Sequence, residues 1–235
     1  LTGENIRAVT TAIGNGSKQI TITDSDVEGS IQLRGLSSLS IVSIERNRIL
    51  HAGADGVAQT GNTIRELTIK DNNITSALRN GISLSGTSTA GVVSLKIENN
   101  NITTSGSGGS GYAALNIDNG VVLPATNSVT GNHFKRAENG GKSIINGNAT
   151  ALTAECNYFG VTAANNIVER ITGNVDYDPW TLADETASGV VGFQSLDCNG
   201  TGFTFTKTVV NVKCFGESNG SITLNESPVT SGKPA

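Results

Sequence analysis

One short pattern recurs along this chain: an aliphatic residue, two spacers, asparagine, one spacer, then a second apolar residue. It reads Ile44-Glu-Arg-Asn47-Arg-Ile49, Ile69-Lys-Asp-Asn72-Asn-Ile74 and Ile97-Glu-Asn-Asn100-Asn-Ile102. Val129-Thr-Gly-Asn132-His-Phe134 and Ala154-Glu-Cys-Asn157-Tyr-Phe159 follow, and a degenerate copy, Ile22-Thr-Asp-Ser25-Asp-Val27, comes first. Successive anchors are 22, 25, 28, 32 and 25 residues apart. Two positions before each anchor stand Ile20, Val42, Leu67, Leu95, Asn127 and Leu152, a column that only Asn127 interrupts. Further alternating runs lie between the copies: Ile31-Gln-Leu33, Ile82-Ser-Leu84, Leu115-Asn-Ile117 and Ser143-Ile144-Ile145.

A unit of this size holds two or three strands of a few residues and cannot bury its apolar face alone. Stacked units bury one continuous core. Equivalent strands a full turn apart then pair in parallel. The expected fold is all-β: a right-handed, single-stranded parallel β-helix of about six to seven coils. The asparagines Asn47, Asn72, Asn100, Asn132 and Asn157 have two expected uses. Their amides can donate and accept along a stacked column, giving a structural Asn ladder. Asparagine also tolerates the left-handed backbone of a tight corner.

The position after each anchor reads Thr23, Glu45, Lys70, Glu98, Thr130, Glu155, and the next reads Asp24, Arg46, Asp71, Asn99, Gly131, Cys156. Several neighbours in these columns have opposite sign, as expected of a solvated cross-strand ladder. A Thr-lined ice-binding face requires threonine throughout such a column, and this one does not supply it. The sequons at Asn73, Asn101 and Asn148 are what a chain with 25 Asn and abundant Thr contains by composition.

After the last copy comes Asn157-Tyr-Phe-Gly160, then Ile171-Thr-Gly-Asn-Val-Asp-Tyr177-Asp-Pro179-Trp180. A solenoid end exposes its core and needs a cap. Tyr177 and Trp180 supply bulk, and Pro179 stops further pairing. This ending resembles the closing coil of bacterial cell-surface β-helix proteins, in which a bulky aromatic pair stands where Tyr158 and Phe159 stand here. The resemblance covers roughly residues 20–182. Further on, Cys214-Phe-Gly216 and Asn219-Gly-Ser-Ile222 are similar to the opening of the SprB-type repeat of gliding-motility adhesins of Bacteroidetes. Only the start of such a repeat is present. The expected organisation is 1–182 parallel β-helix with its cap, 183–207 linker or cap edge, and 208–235 the first strands of a β-sandwich-like repeat. Asn219-Gly220 has the composition of a hairpin turn.

Composition narrows the function classes. Charged residues are 15% against about 25% in average soluble chains. Net charge is −4 with no basic tract, which argues against a nucleic-acid surface. No apolar run reaches membrane-spanning length, so no membrane insertion is expected. The chain begins at Leu1 and holds no Met, so it reads as a processed chain or an excerpt. Of its three cysteines, Cys198 and Cys214 flank two strand-like stretches and form a candidate disulfide, while Cys156 is expected to stand unpaired. With only His51 and His133, neither a zinc site nor a Ser-His-Asp arrangement assembles. Calcium is the one cofactor raised, by the pairs Asp24/Asp26 and Asp176/Asp178. Neither pair alone supplies six to eight oxygens.

The expectation is therefore an extracellular adhesin or structural module of a large bacterial surface protein, without a catalytic residue, presenting a rigid β-helix to a surface or glycan ligand. The family resemblance implies the type IX secretion machinery as a partner. The alternative is a carbohydrate-active β-helix enzyme, a polysaccharide lyase or hydrolase, with catalytic coils partly outside this stretch.

Overall fold

The computed structural model describes residues 19–50, 52–61, 64–86, 92–103, 109, 111–125, 127–135, 140–182 and 191–193, with the backbone of 7–9, 202–210 and 221–229. The chain is all-β, and its parallel sheets form a β-solenoid of about five turns. Among the described residues the one helix is the short Ala164–Val168 segment.

Three walls run along the solenoid. The first wall stacks Gln19–Thr23, Ile41–Glu45, Ile64–Lys70, Val92–Glu98 and Ser128–Thr130. The second stacks Asp26–Glu28, Arg48–Leu50, Asn73–Thr75, Asn101–Thr103 and His133–Phe134. The third has seven strands: Arg7–Val9, Ile31–Arg34, Val57–Thr60, Ile82–Ser85, Ala113–Ile117, Lys142–Asn146 and Ile171–Thr172. Every pairing within the walls is parallel.

Register places like on like. Ile22, Ile44, Ile69, Ile97 and Val129 pair in one file, and Val27, Ile49, Ile74, Ile102 and Phe134 in another. Apart from the half-buried Ile22, these side chains are buried. Each contributes about 1.5–3 kcal/mol of gross burial, which orders a coil only when neighbours cover it. Asn127 interrupts the apolar column without leaving an orphaned amide. Its Oδ1 accepts from the Thr153 backbone N–H at 2.8 Å, and its Nδ2 donates to the Pro124 carbonyl at 3.0 Å.

The core becomes aromatic toward the C-terminal end. Phe134 lies 6.3 Å from Phe159, Phe159 is edge-on to Tyr177 at 6.2 Å, and Tyr177 is 6.2 Å from Trp180. Trp180 Nε1 donates to the Thr162 carbonyl at 3.1 Å, so the indole closes the end without burying an unpaired donor. A cis peptide joins Asp178 to Pro179.

Beyond the cap, the segment 191–193 lies against the second wall. The Gly192 N–H donates to Asn73 Oδ1 at 2.9 Å and the Phe193 N–H to the Asn99 carbonyl at 2.7 Å. Phe193 is fully buried beside His133 and Tyr158. Gly192 has φ +94°, and a Cβ there would stand 2.6 Å from the Asn99 carbonyl oxygen, so this contact requires glycine. Gly202–Val210 and Ser221–Val229 pair as an antiparallel ribbon. The first of these strands starts inside the 183–207 stretch that the sequence suggested as a linker. The expected Asn219-Gly220 hairpin turn, His51, and the candidate disulfide pair Cys198 and Cys214 lie outside the described residues.

Cys156 is disulfide-bonded, which corrects the expectation that it stands unpaired. The chain has three cysteines, so one such bond leaves a single thiol over. Under denaturing conditions the unreduced chain is expected to titrate a single free thiol. Three free thiols before reduction would contradict the bond.

Candidate functional site

Two polar systems stand out in this solenoid, one inside the wall and one on its surface. The inner one is the asparagine file. The Asn47 backbone N–H and Nδ2 both donate to Asn72 Oδ1 at 3.0 Å. Asn72 does the same to Asn100, Asn100 to Asn132, and Asn132 to Asn157, all at 2.8–3.0 Å. Each Nδ2 also donates to a main-chain carbonyl of the preceding coil: Ile22 for Asn47, Ile44 for Asn72, Ile69 for Asn100, Ile97 for Asn132 and Val129 for Asn157. All five are buried. At the N-terminal end Ser25 takes the asparagine position, and its N–H donates to Asn47 Oδ1 at 3.1 Å.

The left-handed corner falls one residue earlier than the sequence reading placed it. Asp24, Arg46, Asp71, Asn99, Gly131 and Cys156 have φ between 52° and 65°. The chain turns there so that the next side chain, the asparagine, points inward. The asparagines are thus explained by their amides, and the corner by the residue before them. At Gly131 a Cβ would meet Asn99 Oδ1 at 2.4 Å.

One opposite-sign step of each outward column forms an ion pair, and the second cation contact of Arg46 is to Glu45 of its own coil. Arg46 makes two hydrogen bonds of 2.8 Å to the Asp24 carboxylate, and Lys70 lies 3.9 Å from Glu98. The hydrogen bond from Arg46 holds the Asp24 carboxyl below its ordinary value, and Asp24 in turn raises Arg46. Both are solvent-exposed, so water and salt screen the pair. Asp24 sits at a corner and Asp26 in the following strand, so they do not share one strand face. No group of three or more His, Cys, Asp or Glu that could hold a metal ion occurs among the described residues. His133 is buried in a strand, its ring centre 4.9 Å from Tyr158 and 5.4 Å from Phe193.

The surface system is a groove of about 310 Å³ on the outer face of the third wall. The outward file Gln32, Ala58, Ser83, Asn116 pairs strand to strand, and so does its neighbour Arg34, Thr60, Ser85. Asp118 extends the second file, its N–H donating to the Leu84 carbonyl. Small side chains, Ala58 and Ser83, leave the middle of the floor low. One rim is built by residues just before the third-wall strands. Asp55 Oδ1 accepts from the Asn80 N–H at 3.0 Å and from Asn80 Nδ2 at 2.8 Å. Asn80 Oδ1 in turn accepts from the Ala113 N–H at 2.9 Å. This chain of bonds ties three coils together and holds Arg79 beside the floor.

The groove offers hydroxyls, amides, two guanidinium groups and two carboxylates, and no aromatic ring lines it. Such a surface suits a polar, extended ligand held by hydrogen bonds. Sequence reasoning did not find it: Asp55, Arg79 and Asn80 belong to no repeating position. No family model, curated protein or solved structure matches the chain.

Proposed function

We propose that this chain is an extracellular adhesive or structural module of a large bacterial surface protein, holding a rigid β-helix away from the cell for attachment to a surface or glycan. The observation that supports it best is the unbroken amide file inside an aliphatic core, capped by Trp180. That construction makes a stiff rod whose ladder amides are paired internally from coil to coil. The groove on the third wall is the attachment surface in this reading. The full form is a right-handed helix of six to seven coils leading into the start of an SprB-type repeat. Cys214-Phe-Gly216 and Asn219-Gly-Ser-Ile222 support that repeat, and the antiparallel ribbon beside them suits the opening of a β-sandwich. Export by the type IX machinery of Bacteroidetes follows from the same resemblance.

One observation favours a second reading. Asp55 and Asp118 both line the groove beside Arg79, and carboxylates next to a cation are the raw material of polysaccharide cleavage. A glycan array followed by incubation with each hit separates the two. Retention of an intact glycan is the expected result. Accumulation of unsaturated products or new reducing ends would replace the adhesin with an enzyme.

A further inference from the structure

The groove has an uneven charge economy. Each of its carboxylates already receives a donor from the chain itself: Asp55 from the Asn80 N–H and Nδ2, Asp118 from Asn116 Nδ2 at 2.9 Å. The Arg79 guanidinium has no hydrogen bond or ion pair with any described residue, although its own N–H is fixed to the Ala54 carbonyl at 3.0 Å. Arginine carries five N–H donors in a planar fork that matches a carboxylate. The backbone bond and the Asp55–Asn80 pair beside it fix the root of that fork at the rim. Both carboxylates thus hold an amide donor on Oδ1, whereas the Arg79 fork holds no acceptor among the described residues, so the open donors of the groove lie at Arg79 and along the hydroxyl-bearing floor.

We propose that the groove binds a short run of an acidic, uronate-containing glycan, with a sugar carboxylate on Arg79 and sugar hydroxyls on Thr60, Ser83, Ser85 and Asn116. The inference rests on the attachment reading above and adds the ligand class and the residues that choose it. The floor crosses four strands spaced about 4.8 Å apart, which gives room for several sugar rings along the solenoid axis. No aromatic platform contributes, so recognition depends on charge and hydrogen bonds and weakens as salt rises.

The test is calorimetric titration of the full chain with a galacturonate hexamer and, in parallel, with maltohexaose as a neutral hexamer. The expected result is binding of the acidic hexamer, weakened about tenfold or more by Arg79→Ala, which alters an exposed side chain. Ser83→Leu, which fills the floor, is expected to abolish binding. Equal binding of both hexamers with no response to Arg79→Ala would overturn the acidic ligand and leave the attachment reading standing. Acidic binding that survives Ser83→Leu would overturn the groove as its site. Failure of both hexamers, with array hits elsewhere, would overturn this inference alone, whereas an array with no hits would overturn the attachment reading as well.

Discussion

Asn100→Asp is expected to lower the stability of the solenoid by about 3–5 kcal/mol at neutral pH, the range for leaving a buried charge uncompensated. The substitution is nearly isosteric, so packing changes little and the loss is electrostatic. Asn100 Oδ1 accepts from the Asn72 N–H and Nδ2, and a carboxylate can still do so. Its Nδ2, however, donates to the Ile69 carbonyl at 2.8 Å and to Asn132 Oδ1 at 2.9 Å. In the variant those two oxygens face a third oxygen bearing negative charge, away from water. Burial and these acceptors raise the folded-state pKa of the new carboxyl above its unfolded value of about 3.9. The native state then binds the proton more tightly. The deficit relative to the parent is smallest below the unfolded pKa and grows as pH rises through the folded one. Asp24 behaves oppositely: Arg46 depresses its pKa, so its contribution is present above the unfolded value and fades as pH falls through the folded one. Comparing variant and parent at the same pH cancels that term. Urea unfolding of both chains at pH 7 and near pH 4 measures the effect. A deficit under about 1 kcal/mol at pH 7, or one that grows on acidification, would contradict the buried ladder.

The second large effect is expected at the cap. Trp180→Ala should cost about 3–5 kcal/mol, as for other large-to-small changes of buried aromatics. The indole covers Tyr177, which is edge-on to Phe159, which packs on Phe134. Its removal leaves Tyr177 at an open end and the Thr162 carbonyl without its indole donor. A second readout accompanies the loss. Burial, helped by the negative charge of Asp178, raises the Tyr177 phenol above its ordinary value. In the variant, water reaches the ring, and ultraviolet titration is expected to show this phenol ionising at lower pH than in the parent. Unchanged stability together with an unchanged tyrosine titration would mean that Trp180 does not close the core.

The solenoid was legible because its periodicity is written in residue types with few alternatives. A buried amide in a file needs asparagine, and the flanking positions need aliphatics, so spacing alone aligned Asn47 with Asn72, Asn100, Asn132 and Asn157. Variable loops between copies, from 22 to 32 residues per turn, did not blur this, since the length differences fall in the connections into and out of the third wall and leave the asparagine corner and its files intact. Three features were not legible. The left-handed residue is Asp, Arg, Asn, Gly or Cys, a position defined by backbone geometry and not by one side-chain chemistry. The Phe193 contact joins residues far apart in the chain, Gly192 standing 119 positions after its acceptor Asn73. The groove depends on Asp55 clasping Asn80 across a coil step, and such single contacts leave no repeat in the sequence.

Side-chain amide hydrogen exchange, followed by solution NMR, probes the amide file most directly. The Nδ2 protons of Asn72, Asn100 and Asn132 are expected to exchange as slowly as core backbone amides, with each amide group giving an Overhauser contact to the next along the axis. Exchange at the rate of an exposed asparagine, or the absence of those contacts, would contradict the stacked solenoid.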